Sequence, residues 1–593
     1  MIQTPMCGIF GYIGTKTNAP EMIFKGLQTL EYRGYDSWGI AILNSNQKLQ
    51  RQRQTGKIDK KQLKLSGGTI GIGHTRWATH GGVFEKNAHP HLDCNEEIAV
   101  LHNGIIENYQ ELKEELLKKG HHFTSDTDTE VVPHLLEEYV KHSPIKNAVK
   151  KTFQRLRGLS ALVILYQRTK EIFVVKNGSP IVIGKGQDEY FIASDAVGIL
   201  PYTNTLLFLN DHELAILGEN SLVLEHIDTD KHIKEYFETV SWQQSHVTKG
   251  NYKHFMLKEI AEQPQVIRTI AKTQKELIEK QAPRIEHAFG TFFIGSGTAS
   301  YACLAGTYLF SKIAHIHVNM APASEFMYLE DFLTPDSLII PLSQSGETID
   351  IVEPLTRAKK KGSKILAIVN TLGSTIYRLA DQTILLQAGP EKAVASTKAY
   401  TAKIAVLTYL AYAIAKDSQT GQKKLLESAQ EIQRLLKPNT TKTLRSIAKK
   451  IARHEHVYLI GRGMSYATAL EGALKIKEVS YIHAEGLAGG EIKHGPIALI
   501  DKGTPCIVIA PQDETHAAIL SNAMELKSRG GYIIGISPKN SPIFDEWIQV
   551  KDTGIPLITQ VIPLQLLGYF LSLQRGVADP DKPRNLAKSV TVK

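Results

Sequence analysis

The stretch SLIIPLSQSGETIDIVEPLTRAKKKGSKILAIVN, residues 337–370, decides how the second half of this chain folds. An apolar run, SLIIP, is followed by a polar turn, a helical pattern and a second apolar run, KILAIVN. Strand, crossover helix and strand in that order make a βαβ unit, which requires a parallel sheet. The turn LSQSGET (342–348) places Ser343, Gln344, Ser345 and Thr348 between the first strand and the helix. Hydroxyls and free backbone N–H groups at a helix N-terminus form an anion site, and the helix dipole adds to it. No lysine and no GK[ST] stands in the turn, so it is not a nucleotide P-loop, and a sugar phosphate suits it better. A serine-rich N-cap without a ligand is the ordinary alternative.

Working outward, the same texture occurs twice. TFFIGSGTASYACLAGTYLF (291–310) resembles HVYLIGRGMSYATALEGALKI (456–476), each with a strand, a G-x-G turn and a helix. AKKKGSKILAIVN (358–370) matches LKSRGGYIIGISP (526–538), and the offset at both places is 166 to 168 residues. Two tandem copies of one α/β domain explain this spacing. The repeat and a second polar turn, VASTK (394–398), favour a ligand site over a plain cap. Residues 7 to about 240 read differently. Short β-rich runs such as SALVILYQ, EIFVVKNG, YFIASD and HELAILG alternate with Gly, Asn and Asp turns, which predicts stacked antiparallel sheets with a few helices. WQQSHVTKGNYKHF (242–255) reads as a linker. The expected organisation is a β-rich domain over 7–240, a linker over 241–284, and α/β domains over 285–425 and 450–593.

Bulk properties exclude several classes. The 593 residues exceed one core, so two to four domains are expected. The formal charge of +9 is mild and spread out. It suits anionic small substrates, and no basic stripe with interleaved aromatics argues for nucleic acid. Cys7, Cys94, Cys303 and Cys506 stand far apart with no CxxC pair. That fits a reducing cytoplasm and argues against a zinc site or disulfides. The opening IQTPM has no signal-peptide character. The apolar run IAVLTYLAYAIA (404–415) is too short to span a bilayer and reads as a buried helix.

LSQSGET, VASTK, EGALKIKEVSYIHAE, EIKHGP and PRNLAKSVTV resemble the sugar isomerase (SIS) domains of the glutamine–fructose-6-phosphate aminotransferases. MCGIFGYIG, LEYRGYDS, HTRWATHG, NAHPH, HNGIIENY and SDTDTEV resemble the class II glutamine amidotransferase domain of the same family. The likeness runs in one order from Cys7 to Lys593. It implies an α+β N-terminal nucleophile domain followed by two α/β SIS domains. It also implies the conversion of fructose 6-phosphate and glutamine to glucosamine 6-phosphate and glutamate, without metal or organic cofactor, in a cytoplasmic homodimer with no nucleic-acid or membrane partner.

The residues fit that chemistry. Cys7 is the candidate nucleophile. No His/Asp pair stands near it in sequence, but an N-terminal residue carries its own base, an α-amine with a pKa near 8. An amide nitrogen cannot serve. The active protein is therefore expected to start at Cys7, after translation from Met6 and loss of that methionine. Proteolysis of MIQTPM, for which no site is recognisable, is the alternative, and retention of the extension would make a poor glutaminase. Asn103 and Gly104 in HNG suit an oxyanion hole. Arg76 would pair with the glutamine α-carboxylate, and Asp128 with the α-ammonium. The resemblance gives Trp77 a role in gating ammonia and Arg33 one in ordering the site. Singly, Asn-Gly is usually a turn, and surface Arg and Asp are usually solvated.

In the sugar half, the resemblance implies that His494, from the neighbouring subunit, opens the ring. Lys588 would form a Schiff base and Glu478 would be the isomerising base. Lys475 lies three residues before Glu478 on the same helical face, where it tunes the carboxylate or stabilises charge. A Lys–Glu pair is most often a surface ion pair, but the apolar context EGALKIKEVSYI favours burial. The resemblance assigns Ser296, Gly297, Thr298, Val394, Ser396 and Ala587 to sugar-phosphate binding with the 343–348 turn. Ser296 and Ala299 depart from the family's Cys-Gly-Thr-Ser turn, and Ala299 can donate no hydrogen bond. Lys392 stands where a small apolar residue is usual, and Trp38 replaces a small one. His89 and His91 hint at a metal, but no third ligand clusters with them in sequence and a loop role is favoured. Two other readings are a sugar-phosphate sensor with dead sites and a different N-terminal-cysteine amidotransferase. The joint presence of Cys7, Glu478, His494 and Lys588 opposes the first. The SIS repeat opposes the second.

Overall fold

The computed structural model describes residues 7–59, 62–77, 81–240, 248–586 and 588. The chain forms two compact units, one running to Thr248 and the other spanning Lys249–Leu586; Lys588 groups with the first. Residues 1–6, and with them the expected start at Cys7, lie outside the described residues, as does Ala587.

The first unit has fifteen strands: β1 (Gly8–Gly14), β2 (Ser37–Leu43), β3 (Leu49–Thr55), β4 (Ile70–Arg76), β5 (His91–Leu92), β6 (Ile98–Gly104), β7 (Ser160–Tyr166), β8 (Glu171–Asn177), β9 (Val182–Lys185), β10 (Glu189–Ala193), β11 (Thr205–Phe208), β12 (Glu213–Gly218), β13 (Ser221–His226), β14 (His232–Ile233) and β15 (Glu238–Thr239). They build an eight-stranded sheet, β15-β11-β9-β10-β1-β4-β2-β3, and a seven-stranded one, β14-β13-β12-β8-β7-β6-β5. Their inner faces share one apolar core, with Ile9, Ile72 and Ile192 from the first sheet meeting Leu101, Val163 and Val174 from the second. Helices Tyr109–Lys118, Val131–Val140 and Ile145–Arg155 cover the other face of the second sheet. Helix Ala19–Leu30 lies against the first, so close that a Cβ on Gly26 would meet the Phe10 ring at 2.3 Å. The expected stacked antiparallel sheets are therefore present. Antiparallel pairing of β1 with β4 sets Gly8 opposite Thr75, which brings Cys7 beside Arg76 and Trp77.

The second unit carries two parallel sheets. Strands β16 (Thr291–Gly295), β17 (Asn319–Pro322), β18 (Leu338–Ser343), β19 (Lys364–Val369) and β20 (Gln382–Leu385) run in the order β17-β16-β18-β19-β20. Strands β21 (His456–Gly461), β22 (His483–Ala488), β23 (Pro505–Ile509), β24 (Tyr532–Ser537) and β25 (Glu546–Gln549) run in the order β22-β21-β23-β24-β25. The two orders are the same, as the sequence repeat predicts. Ligands of such sheets bind beyond the strand C-termini. Gly297 and Gly463 have φ of +54° at the G-x-G turns, a conformation that glycine adopts without a Cβ penalty.

One expectation needs correction. Most of the stretch 241–284 is not linker. Helices Phe255–Thr273 and Lys275–Glu286 bury Met256, Ile260, Ile267, Ile270 and Ile278 in the core of the second unit. Those residues recur at helical spacing, and the polar run before them hid the pattern. Helix Pro556–Gln574 is long and apolar enough to cross a membrane, but 94% of its most apolar window is buried against the protein. Its apolar surface belongs to the core shared with helix Lys398–Ile414.

Candidate active sites

Cys7 stands half-buried at the entry to β1. Its Sγ accepts the Trp77 backbone N–H at 3.3 Å, and its carbonyl accepts Asn103 Nδ2–H at 3.0 Å. Burial pushes the thiol up to about 11, against the pull of the Trp77 N–H and the Arg76 and Arg33 guanidiniums. A thiol held there is protonated at neutral pH, so a base must take its proton before it attacks.

Asn103 is held by a residue that the sequence analysis left unassigned. His74 Nε2 faces the His102 carbonyl at 3.2 Å and Asn103 Oδ1 at 3.1 Å. Both are acceptors, so Nε2 carries the hydrogen and the Asn103 amide is fixed with its nitrogen toward Cys7. Burial lowers His74 to about 3, which keeps it neutral. Its place in HTRWATHG, two residues before Arg76, was the available signal. Gly104 ends β6 with φ +139°, and a Cβ there would sit 1.9 Å from the Leu159 carbonyl oxygen. Only glycine fits.

Arg76 is buried at the end of β4 and donates to the Gly82 and Gly81 carbonyls at 3.3 and 3.2 Å. The charges of Cys7 and Asp128 both act on it. Asp128 is buried at the head of a single helical turn, where its carboxylate accepts the Ile106 N–H at 2.8 Å. That turn is braced on both sides. His91 Nε2 meets Thr127 Oγ1 at 3.0 Å, and His89 Nε2 and His102 Nδ1 meet Thr129 Oγ1, each at 3.0 Å. Burial holds His89 and His91 well below the usual imidazole range, hence neutral. The NAHPH histidines thus support the Asp128 turn. His91 lies on β5 rather than in a loop. The Trp77 ring packs edge-on against Tyr35, and Arg33 pairs with Asp195 at 3.0 Å. Trp38 is a core residue set edge-on against Phe24.

In the second unit, helix Met464–Ser480 carries Glu471, Lys475 and Glu478 along one stripe. Lys475 is fully buried and donates to Glu478 at 2.5 Å and to Thr298 Oγ1 at 3.0 Å, with Glu471 Oε1 at 3.6 Å. Burial raises the Glu471 carboxyl to about 8, whereas the two carboxylates raise Lys475 despite its burial. At neutral pH the trio therefore holds a neutral Glu471 and an ammonium. The sequence analysis missed Glu471, although its spacing of four and seven residues from the other two was visible.

The Ser296-Gly297-Thr298 turn opens helix Thr298–Leu309, and Ser296 Oγ is buried with no hydrogen-bond partner among the described residues. Ser343 ends β18 and accepts the Gly346 N–H at 2.9 Å; Gly346 has φ +70°. Ser345 accepts the Glu347 N–H at 3.2 Å, and Thr348 is the N-cap of helix Ile349–Lys360. Gln344, Ser345 and Thr348 are half-buried. Glu347 anchors the turn by accepting from Thr375 N–H at 2.9 Å and Thr375 Oγ1 at 2.7 Å. Glu391, another unassigned residue, accepts from Ser396 Oγ, Thr397 N–H and Ala399 N–H, and so shapes the VASTK turn. The Val394 N–H donates to the Asp581 carbonyl, and the Lys392 ammonium lies 5.1 Å over the Phe255 ring. His494 is exposed, in a turn at Glu491–Lys493, and forms no described bond to Lys475 or Glu478. Lys588 is half-buried and groups with the first unit.

A family model described as SIS domain matches residues 286–413 and 450–567, and one described as glutamine amidotransferase domain matches residues 74–201. The chain is 45% identical, over 99% of its length and 100% of the relative's, to the protein of Thermococcus kodakarensis named glutamine–fructose-6-phosphate aminotransferase (isomerizing). It is 44% identical over the same shares to the namesake of Pyrococcus horikoshii. Among solved structures, the C-terminal domain of glucosamine-fructose-6-phosphate aminotransferase from Francisella tularensis is similar, with a TM-score of 0.51 and 31% identity. That match covers 56% of this chain and 98% of that one.

Proposed function

The chain belongs to the isomerizing glutamine–fructose-6-phosphate aminotransferases, enzymes that aminate fructose 6-phosphate to glucosamine 6-phosphate at the expense of glutamine, and we propose how its own residues divide that work. In the first unit, the Cys7 α-amine takes the thiol proton, and the thiolate attacks the side-chain carboxamide carbon of glutamine. The carboxamide oxygen gains negative charge, which Asn103 Nδ2–H and the Gly104 N–H stabilise. Collapse expels ammonia and leaves a thioester, which water cleaves to glutamate. Arg76 binds the α-carboxylate, Asp128 binds the α-ammonium, and His74 keeps the Asn103 amide correctly turned. Trp77 gates the ammonia and Arg33 helps order the site.

For the sugar chemistry, the serine and threonine turns at Ser296–Thr298 and Ser343–Thr348, with Val394, Ser396 and Ala587, hold the phosphate and the sugar. His494 of a neighbouring subunit opens the ring, Lys588 condenses with the C2 carbonyl with loss of water, ammonia displaces the Lys588 amine at C2, and Glu478 moves the proton between C1 and C2. Lys475 holds the Glu478 carboxylate in place through a charge-assisted hydrogen bond. The domain assignment that goes with this is a glutaminase over 7–240 and SIS domains over 285–425 and 450–593, in a homodimer of the cytoplasm.

The observation that carries the reading is the buried Lys475 between Glu471 and Glu478, touching Thr298 of the other SIS copy. A surface ion pair would be solvated and would stabilise little. A fully buried lysine flanked by two carboxylates points instead to a functional site. Purified protein should form glucosamine 6-phosphate from fructose 6-phosphate with glutamine as the nitrogen source. Release of glutamate without amino sugar formation would overturn the assignment of the second unit.

A further inference from the structure

Away from both sites, four side chains converge in the first unit. Cys94 lies between β5 and β6, and His121 follows helix Tyr109–Lys118. His134 and Glu137 stand one turn apart on helix Val131–Val140. Cys94 Sγ is 3.6 Å from His121 Nδ1 and 3.6 Å from His134 Nδ1. Glu137 Oε2 is 3.0 Å from His121 Nδ1 and 3.5 Å from His134 Nδ1. The ligand atoms all lie within 4.8 Å of one another; His121, His134 and Glu137 are buried and Cys94 is exposed.

These separations are those that a small tetrahedral ion imposes. With metal–sulfur bonds of about 2.3 Å and metal–nitrogen or metal–oxygen bonds of about 2.0–2.1 Å, ligands sit about 3.5 Å apart for S···N and about 3.3 Å for N···O. Hydrogen bonding alone explains the cluster poorly. A ring nitrogen carries at most one hydrogen, yet each Nδ1 faces both a sulfur and a carboxylate oxygen. The surroundings also suit ligands. His121 Nε2 lies 3.0 Å from Glu138 Oε1, within ion-pair distance but without hydrogen-bond geometry. Asn95 Nδ2 donates to the other Glu137 oxygen at 3.0 Å, and the Cys94 N–H donates to Glu137 Oε2 at 3.1 Å. His134 Nε2 is buried without a hydrogen-bond partner among the described residues.

We propose that Cys94, His121, His134 and Glu137 bind one zinc ion. One thiolate, two imidazoles and one carboxylate form a mixed set typical of zinc, and four protein ligands make a closed, structural site. Binding releases the Cys94 thiol proton to water. The ion would bolt the segment 121–137 to the β5–β6 turn. The sequence analysis saw no such site because the ligands are 27, 40 and 43 residues apart from Cys94 and form no paired motif.

Full-length protein purified without a polyhistidine handle or chelator should contain about one zinc per chain by elemental mass spectrometry. EDTA should remove the metal and lower the melting temperature, and ZnCl2 should restore both. Replacement by Co²⁺ should give a thiolate-to-cobalt charge-transfer band. Cys94→Ser should abolish that band, and His134→Gln should weaken zinc binding by more than about tenfold. Ammonium-dependent sugar amination would report that each variant chain is folded. The proposal fails if wild-type protein titrated with ZnCl2 takes up less than about a tenth of an equivalent. It also fails if zinc persists in the Cys94→Ser/His134→Gln protein.

Discussion

Cys7 shows how little a side chain can do without its neighbours. Burial pushes its thiol up to about 11, so a base must take the proton before it attacks. Cys7→Ala should abolish glutamine-dependent synthesis and leave synthesis from high ammonium, measured as glucosamine 6-phosphate with each nitrogen source. Glu478→Gln keeps the shape but removes the proton acceptor. Sugar amination should fall about 10²–10⁴-fold, the usual worth of a placed acid or base, while glutamate release persists. Equal loss of both activities would mark Glu478 as structural. At this scale the residues proposed for the chemistry were legible, because nucleophiles, oxyanion donors and bases are read from type and motif. His74, Glu471 and Glu391 were not. Their roles rest on which atom each faces, and a sequence does not state that.

At the scale of the element, helix Met464–Ser480 works through spacing. Glu471, Lys475 and Glu478 fall at i, i+4 and i+7, so one buried stripe carries all three charges. Glu471 has its proton held to about 8, against an ordinary value of 4.5. An unfolded chain releases that proton near 4.5, so the folded state keeps its full stability below that pH. It then loses stability as the pH rises to about 8. Glu471→Gln cannot lose the proton. Its unfolding free energy, followed by denaturant titration, should gain on the wild type between pH 5 and 8; parallel profiles would show that Glu471 is ionised throughout. At the end of β6, Gly104→Ala would force a Cβ to 1.9 Å from the Leu159 carbonyl at a φ of +139°. The first unit should lose on the order of 1–3 kcal/mol of stability, and glutaminase activity should fall while ammonium-dependent synthesis survives. The β-rich runs and the βαβ rhythm foretold these elements. Helix Phe255–Thr273 escaped notice because a polar run precedes it.

At the scale of the whole molecule, the chain forms two compact units, and variants at the proposed glutamine site of the first are expected to spare ammonium-dependent sugar chemistry. His494 is exposed and forms no described bond to Glu478 in its own chain. If a neighbouring subunit supplies it, mixing unfolded Glu478→Gln and His494→Ala chains and refolding them together should restore about a quarter of the wild-type activity. Half of the dimers would then be mixed, and each would own one intact site. No recovery would place the site within one chain. The sequence by itself determined the order of the domains, the repeat, the family and the residue types of both sites, because these follow from local pattern and from motifs contiguous in the chain. Tertiary structure alone decided that NAHPH braces the Asp128 turn, that Lys475 is buried between two carboxylates, and that Cys94 meets His121, His134 and Glu137. Each of those depends on residues far apart in sequence being brought within a few ångströms, and on the burial that then sets their charge.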